Sequence, residues 1–150
     1  MHIEPVTESN LHQAAYVHAL SWQESHRSIC SPEFIAAHTP ERQEVMLRQE
    51  MLAGKKIYLL TDQEPVGVMA VNGRIIEHLY VLPQKQRQGY GSALLAFAME
   101  QCQGMPTLWV LNTTQQARRL YERHGFRATG AIKELRTGLW EIEMAYQSLA

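Results

Sequence analysis

A glycine-rich turn, QRQGYG at residues 86–91, lies between an apolar run and a stretch with helical periodicity. The apolar run IIEHLYVLP predicts a strand, and SALLAFAMEQC predicts a helix. The first turn of a helix leaves backbone N–H groups unpaired at the positive end of the helix dipole. Gly89 and Gly91 have no Cβ to keep an anion away from those groups. The order of strand, glycine turn and helix therefore predicts a phosphate-binding turn on a sheet that carries helices.

Two better-known phosphate motifs do not fit this turn. A dinucleotide fingerprint needs a third glycine where Leu94 stands, and a Walker-type loop needs Gly-Lys-Ser/Thr. A tight turn whose glycines serve only the backbone conformation is the other interpretation. If the turn binds a pyrophosphate, the side chains beside it supply charged and neutral donors: Arg87, Lys85, Gln86 and Gln88.

The segment before the turn predicts a short strand and then helices. After HIEPV, Thr7 or Ser9 is a candidate N-cap for a helix that ends near Trp22. Ser31-Pro32 and Thr39-Pro40 each place a capping residue before a proline at the first helical position.

Strand patterns follow from residue 56 onward. KIYLLTD and PVGVMAV are short and rich in aliphatic residues, and Asn72-Gly73 joins PVGVMAV to RIIEHLYVL as a hairpin. After the glycine turn and its helix, TLWVL predicts a buried strand, and TTQQARRLYERHGF predicts a helix that stops at Gly125. FRATG and GLWEIEMAY predict two more strands. The element order indicates an α+β, or mixed α/β, sheet domain with helices on its faces.

Bulk properties limit the classes of function. The chain has 150 residues, 45% of them hydrophobic, which predicts a single globular domain over residues 1–150. A net charge of -1 argues against a nucleic-acid binder with a broad basic face. The chain lacks a signal-peptide pattern and a long apolar run, and Cys30 and Cys102 lack metal or disulfide spacing. We therefore expect a cytoplasmic protein with no membrane partner.

Two linked motifs resemble the GNAT superfamily of acyl-CoA-dependent N-acetyltransferases. LYVLPQKQRQGYGSALL is similar to the family's strand, Q/R-x-x-G-x-G/A turn and helix, and LWVLNTTQQARRLYERHGF is similar to its second motif. The resemblance covers roughly residues 57–127. It implies a mostly antiparallel, twisted sheet of about seven strands with about four helices, splayed between the fourth and fifth strands.

The resemblance also implies the ligand of the glycine turn. In the family this turn wraps the pyrophosphate of coenzyme A, and the pantetheine arm lies in the gap between the splayed strands. The expected cosubstrate is therefore acetyl-CoA. The residues implied to bind it are Tyr80, Val81, Leu82, Gln86, Arg87, Gln88, Gly89, Tyr90, Gly91, Ser92, Asn112 and Thr114.

Amide formation from a thioester needs a general acid and a general base. Tyr121 stands where the family has its acid, and a phenol with a pKa of about 10 can protonate a thiolate. The other interpretation of Tyr121 is a core aromatic residue. Glu77 is the predicted base, and His78 is the alternative. Because successive strand residues face opposite sides, we expect at most one of these two to face the acceptor.

One position departs from the family pattern. Where an asparagine is usual, three residues before Ala117, this chain has Thr114, with Asn112 two residues earlier. Thr114 can cap the helix that follows, and either residue could contact the cosubstrate. The scattered histidines have no helical metal spacing, so we expect no metal site.

The sequence favours an N-acetyltransferase in which a primary amine attacks acetyl-CoA directly in a ternary complex. Both cysteines lie outside the motifs, which argues against a covalent enzyme intermediate. A non-catalytic acyl-CoA-binding or sensor module on the same scaffold is the alternative. The acceptor is expected to be a small-molecule amine or a peptide or protein N-terminus. The resemblance to the family is also compatible with a homodimer. Trp22, His26 and Arg27 lie where the family often builds its acceptor wall.

Overall fold

A seven-stranded sheet organises the computed structural model, which describes residues 1–147. The strands lie in the order β1-β2-β3-β4-β5-β7-β6, and every neighbouring pair is antiparallel except β4 and β5. Their bounds are His2–Pro5 (β1), Lys56–Asp62 (β2), Glu64–Asn72 (β3), Ile75–Val81 (β4), Thr107–Leu111 (β5), Phe126–Arg136 (β6) and Leu139–Tyr146 (β7).

Five α-helices are present in the described residues, one more than the approximate number expected. Their bounds are Leu11–His26 (α1), Pro32–Ala37 (α2), Pro40–Leu52 (α3), Tyr90–Gln101 (α4) and Gln115–Arg123 (α5). A short 3-10 helix spans Pro83–Lys85. The predicted fold class is confirmed, with a mixed sheet, a single parallel pair at β4–β5 and helices on both faces.

The predicted N-cap residues are confirmed for two of the first three helices, α2 and α3. Ser31 Oγ accepts from the N–H of Phe34, and Thr39 Oγ1 accepts from the N–H of Arg42. The first helix differs from the prediction, since its N-cap position is Asn10 and it continues past Trp22 to His26. Asn10 Oδ1 accepts from the N–H of Thr7 at 2.7 Å, so this side chain fixes the turn before the helix instead of capping it.

The two faces of the sheet carry separate cores. α1 and α3 pack on β2, β3 and β4 around buried residues such as Leu11, Leu47 and Leu59. α4 and α5 lie on the opposite face, with Leu94, Tyr121, Phe126 and other buried residues. This division leaves the α1 side of β5, β7 and β6 without a helix packed extensively on it among the described residues.

The strands β4 and β5 pair only at one end. Their register contains Ile75 opposite Thr107 and Ile76 opposite Leu108, while β5 pairs along its whole length with β7. Beyond Ile76 the two strands diverge and leave backbone groups of β4 unpaired on that side. The predicted splay between the fourth and fifth strands is therefore confirmed.

The last two strands form a longer hairpin than the pattern predicted. We expected a strand over FRATG, but β6 continues past Gly130, which has φ of +100°, to Arg136. A register shift between Ala128 and Ile132 accommodates this glycine. None of the described helices has the length and apolarity needed to cross a membrane.

Candidate active site

A cavity of about 820 Å³ opens where β4 and β5 diverge. One end is formed by the glycine turn and the start of α4, and the other by the end of α1 and the strands β4, β5 and β7. The predicted residues that line it are Glu77, His78, Tyr80, Val81, Gln86, Arg87, Gly89, Tyr90, Gly91, Ser92, Thr114 and Tyr121.

The glycine turn presents an open helix N-terminus to this cavity. Gly89 is the N-cap of α4 with φ of +87°, and no side chain caps the helix. A Cβ at Gly89 would meet nothing within 4 Å, whereas one at Gly91 would lie 3.3 Å from Leu120 of α5. Gly89 therefore allows the positive φ of the turn, and Gly91 allows α4 to pack closely on α5. The uncapped N–H groups beside Arg87 suit a pyrophosphate.

The backbone of Val81 faces the gap between the strands. The N–H of Leu82 donates to Val66 O of β3 at 2.9 Å. Because the backbone N–H and C=O groups of successive strand residues point in opposite directions, the N–H and C=O of Val81 point away from β3. Gln86 Nε2 donates to Val81 O at 3.2 Å, which ties the turn to the end of β4. The N–H of Val81 is thus placed to donate into the cavity.

Three predicted residues lie outside the cavity lining. Leu82 is buried at 4% exposure, and its N–H is used within the sheet. Asn112 Oδ1 accepts from the N–H of Trp140 at 3.2 Å, so this side chain supports the β6–β7 hairpin. Gln88 is exposed on the turn. Thr114 lies at the N-cap position of α5, but its side chain makes no capping hydrogen bond.

Tyr121 places a protonated phenol against the cavity. Its side chain is 8% exposed and packs edge to face on Phe126, with ring centroids 6.2 Å apart. No hydrogen bond to its hydroxyl is found within residues 1–147. Burial raises the pKa of Tyr121 to about 12, so the phenol keeps its proton at neutral pH. Burial also raises the pKa of the neighbouring Tyr80 above its usual range.

The expectation that Glu77 and His78 face opposite sides is wrong. The β3–β4 register shifts between Val68 and Ala70, and His78 takes a left-handed φ of +53°. This β-bulge turns both side chains to the α1 face, because the extra residue breaks the alternation of the strand. The ligand atoms of Glu77, His78 and Glu50 of α3 consequently lie within 4.8 Å of one another.

A charged network forms around this bulge. Lys55 Nζ lies 2.5 Å from Glu50 Oε1 and also forms an ion pair with Glu77. His78 Nε2 lies 2.8 Å from Glu50 Oε1. Burial alone would raise the pKa of Glu50, but hydrogen bonds from His78 and Lys55 outweigh it and bring that pKa to about 2.

Two histidines extend from the charged Glu50 as a hydrogen-bonded chain. An ionised carboxylate only accepts, so His78 Nε2 carries a proton and donates to it. His78 Nδ1 lies 3.2 Å from His18 Nε2, within hydrogen-bond distance. Burial lowers the pKa of His18 to about 3, with a smaller contribution from His78, so His18 stays neutral. Both ring nitrogens of His78 are therefore engaged.

Glu50, Glu77 and His78 also have the donor types of a metal site. The ammonium group of Lys55 lies among the two carboxylates and satisfies their charge. A cation there would have to displace Lys55. Sequence reasoning missed Lys55, Glu50 and His18, because they lie in the loop before β2, on α3 and on α1, and meet the residues of β4 without a recognisable spacing.

Lys55→Met will lower the free energy of unfolding by about 2 kcal/mol. The substitution leaves two carboxylates close together without their shared cation, at sites only 18% and 28% exposed. Urea denaturation at pH 7 measures the change. Lys56→Met is the matched control, since Lys56 is exposed and makes no ion pair with another described residue. Equal stability of the two variants would contradict the account of the network.

Aromatic rings extend the site at the end of α1. The ring of Trp22 stacks between His26 and His38, with centroid distances of 4.1 Å and 3.6 Å. Of the predicted acceptor wall, only His26 lines the cavity, together with Ser25. Arg27 instead forms an ion pair with Glu24 at 2.7 Å.

The family model of the acetyltransferase (GNAT) domain matches residues 27–148. The chain therefore belongs to the GNAT acetyltransferase family. The peptidyl-lysine N-acetyltransferase YjaB of Salmonella typhimurium is 36% identical over 72 residues, which cover 47% of this chain and 49% of that protein. The match thus spans about half the length of this curated relative.

Solved structures share the fold over nearly the whole chain. The PaiA N-acetyltransferase from Thermoplasma acidophilum, in complex with coenzyme A, has a TM-score of 0.69 at 19% identity. The alignment covers 97% of this chain and 100% of that one. The apo form of YjaB from Escherichia coli has a TM-score of 0.69 at 20% identity and covers 97% and 96%. At these identities the likeness establishes the fold.

Proposed function

We propose that this protein transfers an acetyl group from acetyl-CoA to a primary amine, with the side chain of a peptide lysine as the acceptor. The observation that carries the proposal is the single cavity that joins the uncapped glycine turn, the β4–β5 gap and Tyr121. The 36% identity to a peptidyl-lysine N-acetyltransferase supports the acceptor, although it covers about half of either chain.

The two ends of the cavity suit the two ends of acetyl-CoA. The free N–H groups at the start of α4 and the guanidinium of Arg87 bind the pyrophosphate. Unpaired backbone groups of β4 bind the amides of the pantetheine arm, and the N–H of Val81 polarises the thioester carbonyl. Bound acetyl-CoA supplies the activated acyl group.

Tyr121 acts as the general acid. Its raised pKa of about 12 keeps the phenol protonated. The proton passes from the phenol to the departing thiolate, and the buried phenolate regains a proton before the next turnover because its ionised form is costly to bury.

Glu77 acts as the base, directly or through water. Lys55 contacts Glu77 through Oε2, which leaves the second oxygen of this carboxylate for the acceptor or a water molecule. His78 is less suited, because Glu50 and His18 engage both of its ring nitrogens. The network around Lys55 therefore holds the base in place.

Acetylation of defined peptides tests the proposed function. Purified protein is incubated with acetyl-CoA and a lysine peptide whose N-terminus is blocked, and thiol release and peptide mass are followed. A second peptide with a free N-terminus and no lysine is the matched control. We expect lysine-dependent release of CoA and addition of one acetyl group. Binding of acetyl-CoA without turnover of either peptide would contradict the proposal and favour a non-catalytic acyl-CoA-binding module.

A further inference from the structure

Glu141 is a carboxylate in the cavity that forms no ion pair with another described residue. It lies on β7, lines the cavity and is partly exposed. Within residues 1–147 no lysine, arginine or histidine nitrogen lies within 4.0 Å of its carboxylate oxygens. By contrast, the other carboxylate of the cavity, Glu77, is paired with Lys55.

The cation closest to Glu141 in strand register is held by an aromatic ring. Lys133 of β6 is the register partner of Glu141. Its Nζ atom lies over the ring of Trp109, 4.0 Å from the centroid, in a cation–π contact. Trp109 and Lys133 both line the cavity. The Trp109 ring is thus already in contact with one alkylammonium group.

Glu141 and Trp109 lie on the open face of the sheet. Their strand neighbours Val110 and Ile142 belong to the core on the α4 side, so Glu141 and Trp109 face the other side. No described helix packs extensively on this part of the sheet. A peptide can therefore reach both residues from solvent.

Glu141 also lies at the open end of the gap between β4 and β5. It is the register partner of Leu111, the last residue of β5, whereas β5 pairs with β4 only at Thr107 and Leu108. A positive charge held by Glu141 would therefore lie in the same cavity as Tyr80 and Tyr121.

We propose that Glu141 and Trp109 form a subsite for a second positive charge on the acceptor, so that the preferred acceptor is a lysine flanked by basic residues in a peptide segment. This inference rests on the proposed function and adds the substrate class. Charge complementarity carries it, because a carboxylate without an ion-pair partner and an aromatic face together favour a cation. Lys133 is then an intramolecular competitor for the same ring.

Three peptides test the subsite. Each has blocked termini and one lysine, flanked on both sides by arginine, glutamine or glutamate, so that only one amine can be acetylated. We expect kcat/KM to be roughly tenfold higher with arginine flanks than with glutamate flanks, and Glu141→Gln to reduce this ratio to about twofold. The matched control is Glu100→Gln, since Glu100 is exposed on α4, outside the cavity lining, and forms no ion pair with another described residue.

A second variant is expected to raise kcat/KM instead of lowering it. Lys133→Met removes the competing ammonium from Trp109, so kcat/KM for the arginine-flanked peptide should rise by about threefold. Equal kcat/KM for the three peptides, or an unchanged ratio in Glu141→Gln, would overturn the subsite and leave the proposed function standing. Absence of turnover with all three peptides would overturn both.

Discussion

Replacing Tyr121 with phenylalanine will lower kcat about a hundredfold while the affinity for acetyl-CoA stays the same. General acid catalysis typically contributes at least about a hundredfold, and the substitution removes only the hydroxyl that we propose as the proton donor. The ring still packs on Phe126, and within the described residues the hydroxyl has no hydrogen-bond partner to lose. Steady-state kinetics with a lysine peptide measure kcat, and calorimetric titration measures the affinity.

A matched substitution separates the acid from the packing. Tyr58→Phe removes a hydroxyl from another buried tyrosine, which packs on Phe97 away from the cavity lining. We expect Tyr58→Phe to retain kcat and both variants to unfold at a similar temperature. Full turnover of Tyr121→Phe from pH 6 to pH 9 would show that another group protonates the thiolate.

Acidification from pH 6.5 to pH 4.5 will lower the free energy of unfolding by about 2 to 3 kcal/mol, and His18→Gln will remove most of this loss. Burial lowers the pKa of His18 from 6.5 to about 3. Between these values unfolded His18 binds a proton and folded His18 does not, so falling pH favours the unfolded chain by about 1.4 kcal/mol per pH unit. Glutamine does not titrate, and its amide can still donate to His78.

The pH window separates His18 from the rest of the network. Glu50, with a pKa lowered from 4.5 to about 2, adds its own loss of stability only below pH 4.5. His26, whose pKa is also lowered by burial, contributes in the same direction as His18. His12→Gln on the exposed side of α1 is the control, and urea denaturation at each pH gives the free energy. A wild-type stability that stays constant over this window would rule out a buried neutral His18.

The parts of the fold that could be predicted depend on local chemistry. Ser31-Pro32 and Thr39-Pro40 start helices because capping acts within one turn. The predicted hairpin forms with Gly73 and Arg74 as its two turn residues, one position later than Asn72-Gly73, because Gly73 supplies the positive φ that the turn needs. The glycine turn was recognised for the same reason, since a strand, two glycines and a helix occur within one short segment.

The parts that could not be predicted depend on contacts between distant segments. The bulge at His78 follows from a shift in the register between β4 and β3. No residue type within β4 indicates this shift. Lys55, in the loop between α3 and β2, meets Glu50 and Glu77 only because α3 packs on the face of the sheet to which Glu77 points. Asn112 has a side chain that could bind a ligand in the cavity, but its Oδ1 accepts a hydrogen bond from the N–H of Trp140 in the β6–β7 hairpin. Glu141 reaches the cavity because β7 inserts next to β5.

Thermal unfolding with coenzyme A, acetyl-CoA and NAD tests the central claim most directly. A ligand that binds only the native state adds about 2.7 kcal/mol at a hundredfold excess over its dissociation constant, which corresponds to a shift of roughly 5 to 10 °C for a domain of this size. We predict such a shift with coenzyme A and acetyl-CoA but not with NAD, and a smaller one in Arg87→Ala. An unchanged unfolding temperature with both coenzyme A species would contradict the assignment of the glycine turn and of the cavity built on it.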